Sequence, residues 1–275
     1  MKAIGTTTTI FSLTTPGTTF LQGQAARDMT RQVNEYCARI RDSNPAKFGF
    51  FATLPSLLDN EGAIQEIKYA LGTLRAEGVI VFTRYGEGNC YLGDSRLRPV
   101  WRELNLWKAV VLVHPCMPRD RTPFPATILP NIVEFPHETT RTALDLIFSN
   151  TKRDHPDCKM ILSHAGGTLP YLMGRVGLMD MLPYSPVRKT KEEIFADAKS
   201  FYYDLALAGH ENALRTLLEF VPQDHILFGS DYPYAPKPGA LRMNDGWEGF
   251  PVTKDFRDKV NYGNAESILP MFQKE

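Results

Sequence analysis

Unbroken alternation of apolar strands and amphipathic helices predicts an α/β protein, a TIM-like (β/α)8 barrel that lacks its first β/α unit. Three observations carry that expectation. Near-continuous apolar runs, such as Gly78 to Phe82 and Ala109 to Val113, each precede a segment with helical spacing, and seven such units follow one another. Polar groups stand at the strands' carboxyl ends on units far apart in sequence, and no G-x-G-x-x-G follows any strand, so a doubly wound open sheet is the weaker alternative. A length of 275 residues admits one large barrel or two average domains. Without an internal linker or low-complexity tract, one domain over 1–275 is expected.

The elements follow in order. Met1 to Ile4 reads as the last turn of a helix, with Gly5 its carboxyl cap and nothing before it. Thr6 to Thr14 is a β-branched strand closed by Pro16-Gly17. Ala25 to Arg41 carries Ala26, Met29, Val33, Tyr36, Cys37 and Ile40 at helical spacing. Phe48 to Leu54 is the next strand, ended by Pro55, and Glu61 to Arg75 the next helix. Gly78 to Phe82 is followed by a short helix, Arg98 to Leu106, then by Ala109 to His114. A Pro-rich loop from Pro115 to Pro136 exceeds the usual length and is read as a lid or substrate loop. After a helix from Glu138 to Asn150, Met160 to Leu162 is a buried strand that ends at His164, where Ala165-Gly166-Gly167 permits a sharp turn into a helix reaching Met181. Lys191 to Lys199 and Asn212 to Phe220 are helices around the strand Phe201 to Leu205. Ile226 to Ser230 is the last strand, Tyr232 to Phe250 a Pro/Gly loop, and Lys254 to Val260 and Glu266 to Phe272 terminal helices.

Composition narrows the partners. Thirty-one basic and 31 acidic residues cancel, so no global field draws nucleic acid or an anionic membrane, and a small molecule is the expected partner. Cys37, Cys90, Cys116 and Cys158 are far apart and contain no C-x-x-C pair, which argues against a disulfide framework or zinc ribbon. No run approaches the ~18 apolar residues of a membrane helix, and the Thr-rich start lacks a signal-peptide layout. A cytosolic protein with reduced thiols is expected.

The candidate chemistry lies at strand ends. His114 after a buried strand is a plausible imidazole ligand for a divalent metal, with a packed histidine as the ordinary alternative. His164 before Gly-Gly is more telling, because small residues let a ligand approach the backbone. Asp231, in Gly229-Ser230-Asp231-Tyr232-Pro233, is the sharpest signal, since a carboxylate at a barrel mouth is costly unless paired or metal-bound. Arg84 could grip a substrate carboxylate or form a rim salt bridge. His137-Glu138 suits a helix amino terminus. His155, His210 and His225 fall in polar connections and are expected to be solvated, and Cys116 to be inert packing.

VHPCMP, SHAGGTLPYLMGR, FGSDYPYAP and YGNAESILP resemble the metal-dependent decarboxylase branch of the amidohydrolase superfamily, the group of aminocarboxymuconate semialdehyde and γ-resorcylate decarboxylases. GFFATLPSLLD, VIVFTRYG, YLGDSRLRPVW, PHETTRTALDLI and YYDLALAG extend the resemblance to fungal 6-methylsalicylate decarboxylases over nearly the whole chain. The resemblance implies a (β/α)8 barrel with one divalent cation, usually zinc and sometimes manganese, at the carboxyl face. It implies His114 as a metal ligand, His164 as the imidazole that tunes metal-bound water or substrate, and Asp231 as a metal-site carboxylate and proton donor. Arg175 matches an arginine that reaches a neighbouring subunit's substrate, which implies a homodimer; a surface arginine is the alternative. A first-strand H-x-H or E-x-H supplies two more ligands in family members, whereas no histidine precedes His114 here, so that strand is expected to be missing. The implied activity is non-oxidative decarboxylation of a 2-hydroxybenzoate, most simply 6-methylsalicylate to m-cresol in polyketide secondary metabolism. A lactonase-like hydrolase and an inactive shortened homologue are the alternatives.

Overall fold

The computed structural model describes residues 1, 4–120, 127–184 and 188–272. Strand β1 (Thr9–Ser12) leads through helix α1 (Gly23–Ser43) to β2 (Phe48–Ala52), and α2 (Asn60–Ile67) leads to β3 (Gly78–Phe82). A hairpin of β4 (Arg84–Tyr85) and β5 (Cys90–Tyr91) precedes α3 (Arg98–Leu106) and β6 (Val110–His114). Then come α4 (Pro130–Phe148), the single turn α5 (Thr151–Asp154), β7 (Lys159–Leu162), α6 (Leu169–Val176), α7 (Lys191–Lys199), β8 (Tyr202–Asp204), α8 (Glu211–Phe220) and β9 (Ile226–Leu227). Helices α9 (Lys237–Glu248), α10 (Lys254–Asp258) and α11 (Asn264–Ile268) follow.

Among the described residues, seven strands form one sheet in the order β1-β2-β3-β6-β7-β8-β9, every pair parallel. This is the expected α/β architecture, with seven strands where a closed (β/α)8 barrel has eight. Burial on both faces explains the apolar runs: every residue of β3 is buried, as are Val110, Val111, Val113 and His114 of β6. The register places Phe82 beside His114, Val113 beside Leu162, Leu162 beside Tyr203 and Asp204 beside Leu227. The carboxyl ends of β6 to β9 therefore form one continuous rim. Groups that are scattered along the sequence stand on neighbouring strands.

The outer flank of β9 is covered by the chain's later helices. Phe228 N–H donates to Val260 O at 3.0 Å, and the Asn264 amide donates to Ile226 O and Gln223 O, both at 2.8 Å. Elsewhere a buried polar network ties α1 to the end of β2. Asn34 accepts from Thr53 N and donates to Thr53 O and to Glu66, which also pairs with Arg31.

Three sequence expectations are corrected. Residues Tyr232 to Phe250 are not all loop, because α9 occupies Lys237–Glu248. Its Gly246 reflects close packing: a Cβ there would lie 1.9 Å from Gly209 O. The loop after β6 is shorter than Pro115 to Pro136, since α4 starts at Pro130 and carries Pro136 within it; 121–126 lie outside the described residues. At the amino terminus Ile4 N–H donates to Met1 O at 3.0 Å and Gly5 has φ 73°, as a turn capped by glycine requires; residues 2 and 3 lie outside the described residues. His155 is buried rather than solvated, its Nδ1 2.8 Å from Thr151 O.

Candidate active site

Strand β6 delivers His114 to the rim, where its Nδ1 lies 2.8 Å from Pro115 O. A carbonyl only accepts, so Nδ1 carries the proton and Nε2 keeps its lone pair. Burial pushes the His114 pKa down to about 4. The imidazole is therefore neutral at pH 7, the form that binds metal.

His164 follows β7 in an unusual turn. Residues His164, Ala165, Gly166 and Gly167 have φ of 56°, 55°, 73° and 65°, four positive values in succession. Glycine is required at the last two by sterics: a Cβ on Gly166 would lie 2.6 Å from the Tyr203 ring, and one on Gly167 2.1 Å from Pro136 O. The two non-glycine residues are held there against a steric cost of about 1–2 kcal/mol each. Thr140 Oγ1, 2.8 Å from Pro136 O, accepts from Thr168 N at the same distance and fixes the exit into α6. Burial, with His114 alongside, pushes the His164 pKa down to about 3, so this imidazole is also neutral.

Asp231, four residues beyond β9, has φ 53°. Its side chain is 19 % exposed, and burial pushes its pKa up to about 6. The closest approach of its carboxylate to His164 Nε2 is 4.0 Å, beyond hydrogen-bond reach. The rings of His114 and His164 meet edge to face, with centroids 5.6 Å apart.

Among the described residues, His114, His164 and Asp231 can each offer one ligand atom, and these atoms all lie within 4.8 Å of one another. Two neutral imidazoles facing a carboxylate make a donor set suited to zinc or another borderline divalent ion, and a cation would supply the charge that partial burial of Asp231 calls for. The residues present fit such an ion.

The two arginines stand outside this cluster. The Arg84 guanidinium donates to Gly86 O, Gly88 O and Met117 O at 3.0, 3.1 and 2.9 Å, tying the β4–β5 hairpin to the segment after His114. Its Nε lies 3.9 Å from Glu138 Oε2, and Glu138 Oε1 accepts from Tyr91 OH. Glu138 is thus buried inside α4 rather than serving a helix amino terminus. Arg175 is exposed on α6. Cys116 packs against Thr83, and burial raises its thiol pKa.

One site residue escaped the sequence reading. Asp204 ends β8, between the strands that carry His164 and Asp231, and its Oδ1 accepts from His164 N and Ala206 N, both at 3.0 Å. Burial pushes its pKa up to about 7 despite those two donors, and the Asp231 carboxylate adds to the rise. The signal was present: Tyr202-Tyr203-Asp204 repeats the pattern of an apolar strand ending in a polar residue.

Fold and site together define the class: a barrel-type α/β protein whose carboxyl rim gathers two imidazoles and a carboxylate at one cation-sized position. Residues 7–271 match the amidohydrolase family model, and the chain belongs to that family. It is 43 % identical over 266 residues to a 6-methylsalicylic acid decarboxylase of Penicillium expansum, covering 96 % of this chain and 82 % of the relative. A 2,6-dihydroxybenzoate decarboxylase solved with 2,6-dihydroxybenzoate has a TM-score of 0.84 at 25 % identity, covering 98 % of this chain and 85 % of that one. The fold is shared with a dihydroxybenzoic acid decarboxylase of Polaromonas, solved with manganese and 2-nitroresorcinol, at TM-score 0.85 and 24 % identity over 100 % and 85 % of the chains.

Proposed function

We propose that this protein is a metal-dependent carboxy-lyase that removes carbon dioxide from a 2-hydroxybenzoate, with 6-methylsalicylate the substrate and m-cresol the product. The observation that carries the reading is the convergence of His114, His164 and Asp231 at the carboxyl rim. The likeness to a 6-methylsalicylic acid decarboxylase supports the choice of substrate.

His114 and Asp231 would hold the cation, for which we propose zinc, with manganese the second choice. When bound, the ion supplies Lewis-acid charge for the substrate's carboxylate and adjacent phenol oxygen. The Asp231 carboxylate takes up a proton from solvent at its exposed edge and delivers it to the ring carbon bearing the carboxylate. The carbon–carboxylate bond then breaks, its electron pair restores the aromatic ring, and carbon dioxide leaves. His164, neutral and beside both groups, hydrogen-bonds the substrate and keeps it in register. Arg84 steadies the wall behind His114 and could meet the substrate carboxylate at that wall.

We further propose a cytosolic homodimer in which Arg175 reaches the neighbouring subunit's substrate. Arg175 is exposed on α6, as are Tyr171 and, just beyond the helix, Leu178 and Met181. Light scattering on Arg175→Ala tests this: dimeric protein with unchanged KM would reject the shared site.

The deciding experiment supplies metal-loaded protein with 6-methylsalicylate, and separately with a lactone. Equal amounts of carbon dioxide and m-cresol are expected. Lactone opening without carbon dioxide release would overturn the assignment, as would failure to turn over either compound with one equivalent of metal bound.

A further inference from the structure

We propose that Asp204 is the positioning residue of this centre: its carboxylate holds the left-handed turn at His164 and so sets the direction of the His164 imidazole. The catalytic part of this inference rests on the decarboxylase reading above; the structural part does not.

The argument begins with the turn. Within it, Gly166 N–H and Gly167 N–H are satisfied locally by Ser163 O and His164 O. The His164 N–H is not; it crosses to the next strand and finds Asp204 Oδ1 at 3.0 Å. The same oxygen accepts from Ala206 N at 3.0 Å, so one atom bridges the turns that follow β7 and β8. Without that acceptor, the His164 N–H would have no reason to face β8, and an extended conformation at His164 would relieve the Cβ crowding of positive φ.

Two neighbours fit the same design. Tyr203, the residue before Asp204, places its ring where a Cβ on Gly166 would stand, so the last two residues of β8 both buttress the turn. On the other side, a Cβ on Gly229 would lie 3.2 Å from Asp204 Cβ and Cγ, tighter than ordinary contact, so glycine there leaves the carboxylate its place. The role asked of Asp204 is that of an acceptor, which an asparagine carbonyl oxygen can fill and an alanine cannot.

The test compares Asp204→Ala and Asp204→Asn with the parent by the NMR signals of the His164 imidazole and by the kinetics of the metal-loaded protein. In Asp204→Ala the His164 ring signals are expected to shift and kcat for 6-methylsalicylate to fall about 100-fold with KM within about threefold, the loss typical of a misplaced group. Asp204→Asn is expected to restore the ring signals and bring kcat to within about fivefold of the parent. Unchanged ring signals and kcat in Asp204→Ala would overturn the proposal, and so would an asparagine variant as impaired as the alanine one. If the parent turns over nothing, the functional reading fails while the His164 ring signals still judge Asp204. Should Asp204→Ala not fold, hydrogen exchange of the His164 amide in the parent decides: strong protection supports the bond, and exchange at the unfolded rate removes it.

Discussion

The two rims of the sheet use left-handed backbone for opposite purposes. On the rim of strand amino ends, Arg75, Lys108 and Asn150 have φ of 54°, 48° and 63°, and each stands just past a helix. Lys108 shows the reason: its N–H donates to Asn105 O while Ala109 N–H donates to Leu104 O, the bond pair of a Schellman cap. On the carboxyl rim, His164, Ala165, Leu207 and Asp231 have φ of 56°, 55°, 56° and 53°, and none of them ends a helix. At His164 and Asp231 the conformation aims a polar side chain. The steric cost is the same at both rims, but only at the second does the identity of the residue carry chemistry.

Removing a rim donor should break this contrast most severely. Asp231→Ala and His114→Ala are each expected to lower decarboxylation by about 10³-fold or more while the melting midpoint moves little. Assays of carbon dioxide release beside calorimetry would check this, and a large loss of stability would mean that these groups serve the fold instead. Gly167→Ala comes next, since the added methyl meets Pro136 O in a residue with positive φ. A loss of about 3 kcal/mol is expected, or about 6–10 °C in melting midpoint.

The contrast is sharpest when one substitution is made at both rims. Lys108→Gly should stabilise by about 0.5–1 kcal/mol and leave turnover alone, because glycine relieves the strain of a cap whose side chain is exposed. His164→Gly relieves the same strain and should abolish most turnover. The smallest effect concerns Glu77, buried at the amino end of β3, whose carboxylate accepts from Met271 N at 2.8 Å. Burial raises its pKa above the ordinary 4.5. The native state therefore keeps a proton that the unfolded chain has released, so this group's contribution falls as pH rises through that window. Glu77→Gln should flatten the decline and gain up to about 1 kcal/mol at pH 7, read from urea midpoints at several pH values.

Much of this arrangement was legible in the residues. Apolar period and flanking turns located β3 and β6 nearly to the residue, because strands buried on both faces leave no choice of composition. The same logic brought His114, His164 and Asp231 to one rim, since a parallel sheet places all carboxyl ends together. What stayed hidden depended on contacts between distant segments. Asp204 stands at a readable strand end, but its partner, the backbone N–H of His164 on the neighbouring unit, is recorded by no local pattern. Helix α9 was masked by Pro238, tolerated in its first turn, and by Gly246, which serves close approach to the backbone of Gly209. His155 sits in a polar stretch yet is buried, because its ring nitrogen finds the Thr151 carbonyl one turn back.

The free flank of β9 is bonded to Val260 and Asn264 instead of to another strand. The loop bearing Asp231 therefore takes its seat from residues that come much later in the chain. A protease cut in the exposed connection between Gly249 and Lys254 would slacken that seat before any strand pairing is lost. Aged or nicked preparations would then let Asp231 drift from the two imidazoles while circular dichroism still records an intact sheet, so a sample that looks sound by spectroscopy is not thereby sound at the rim.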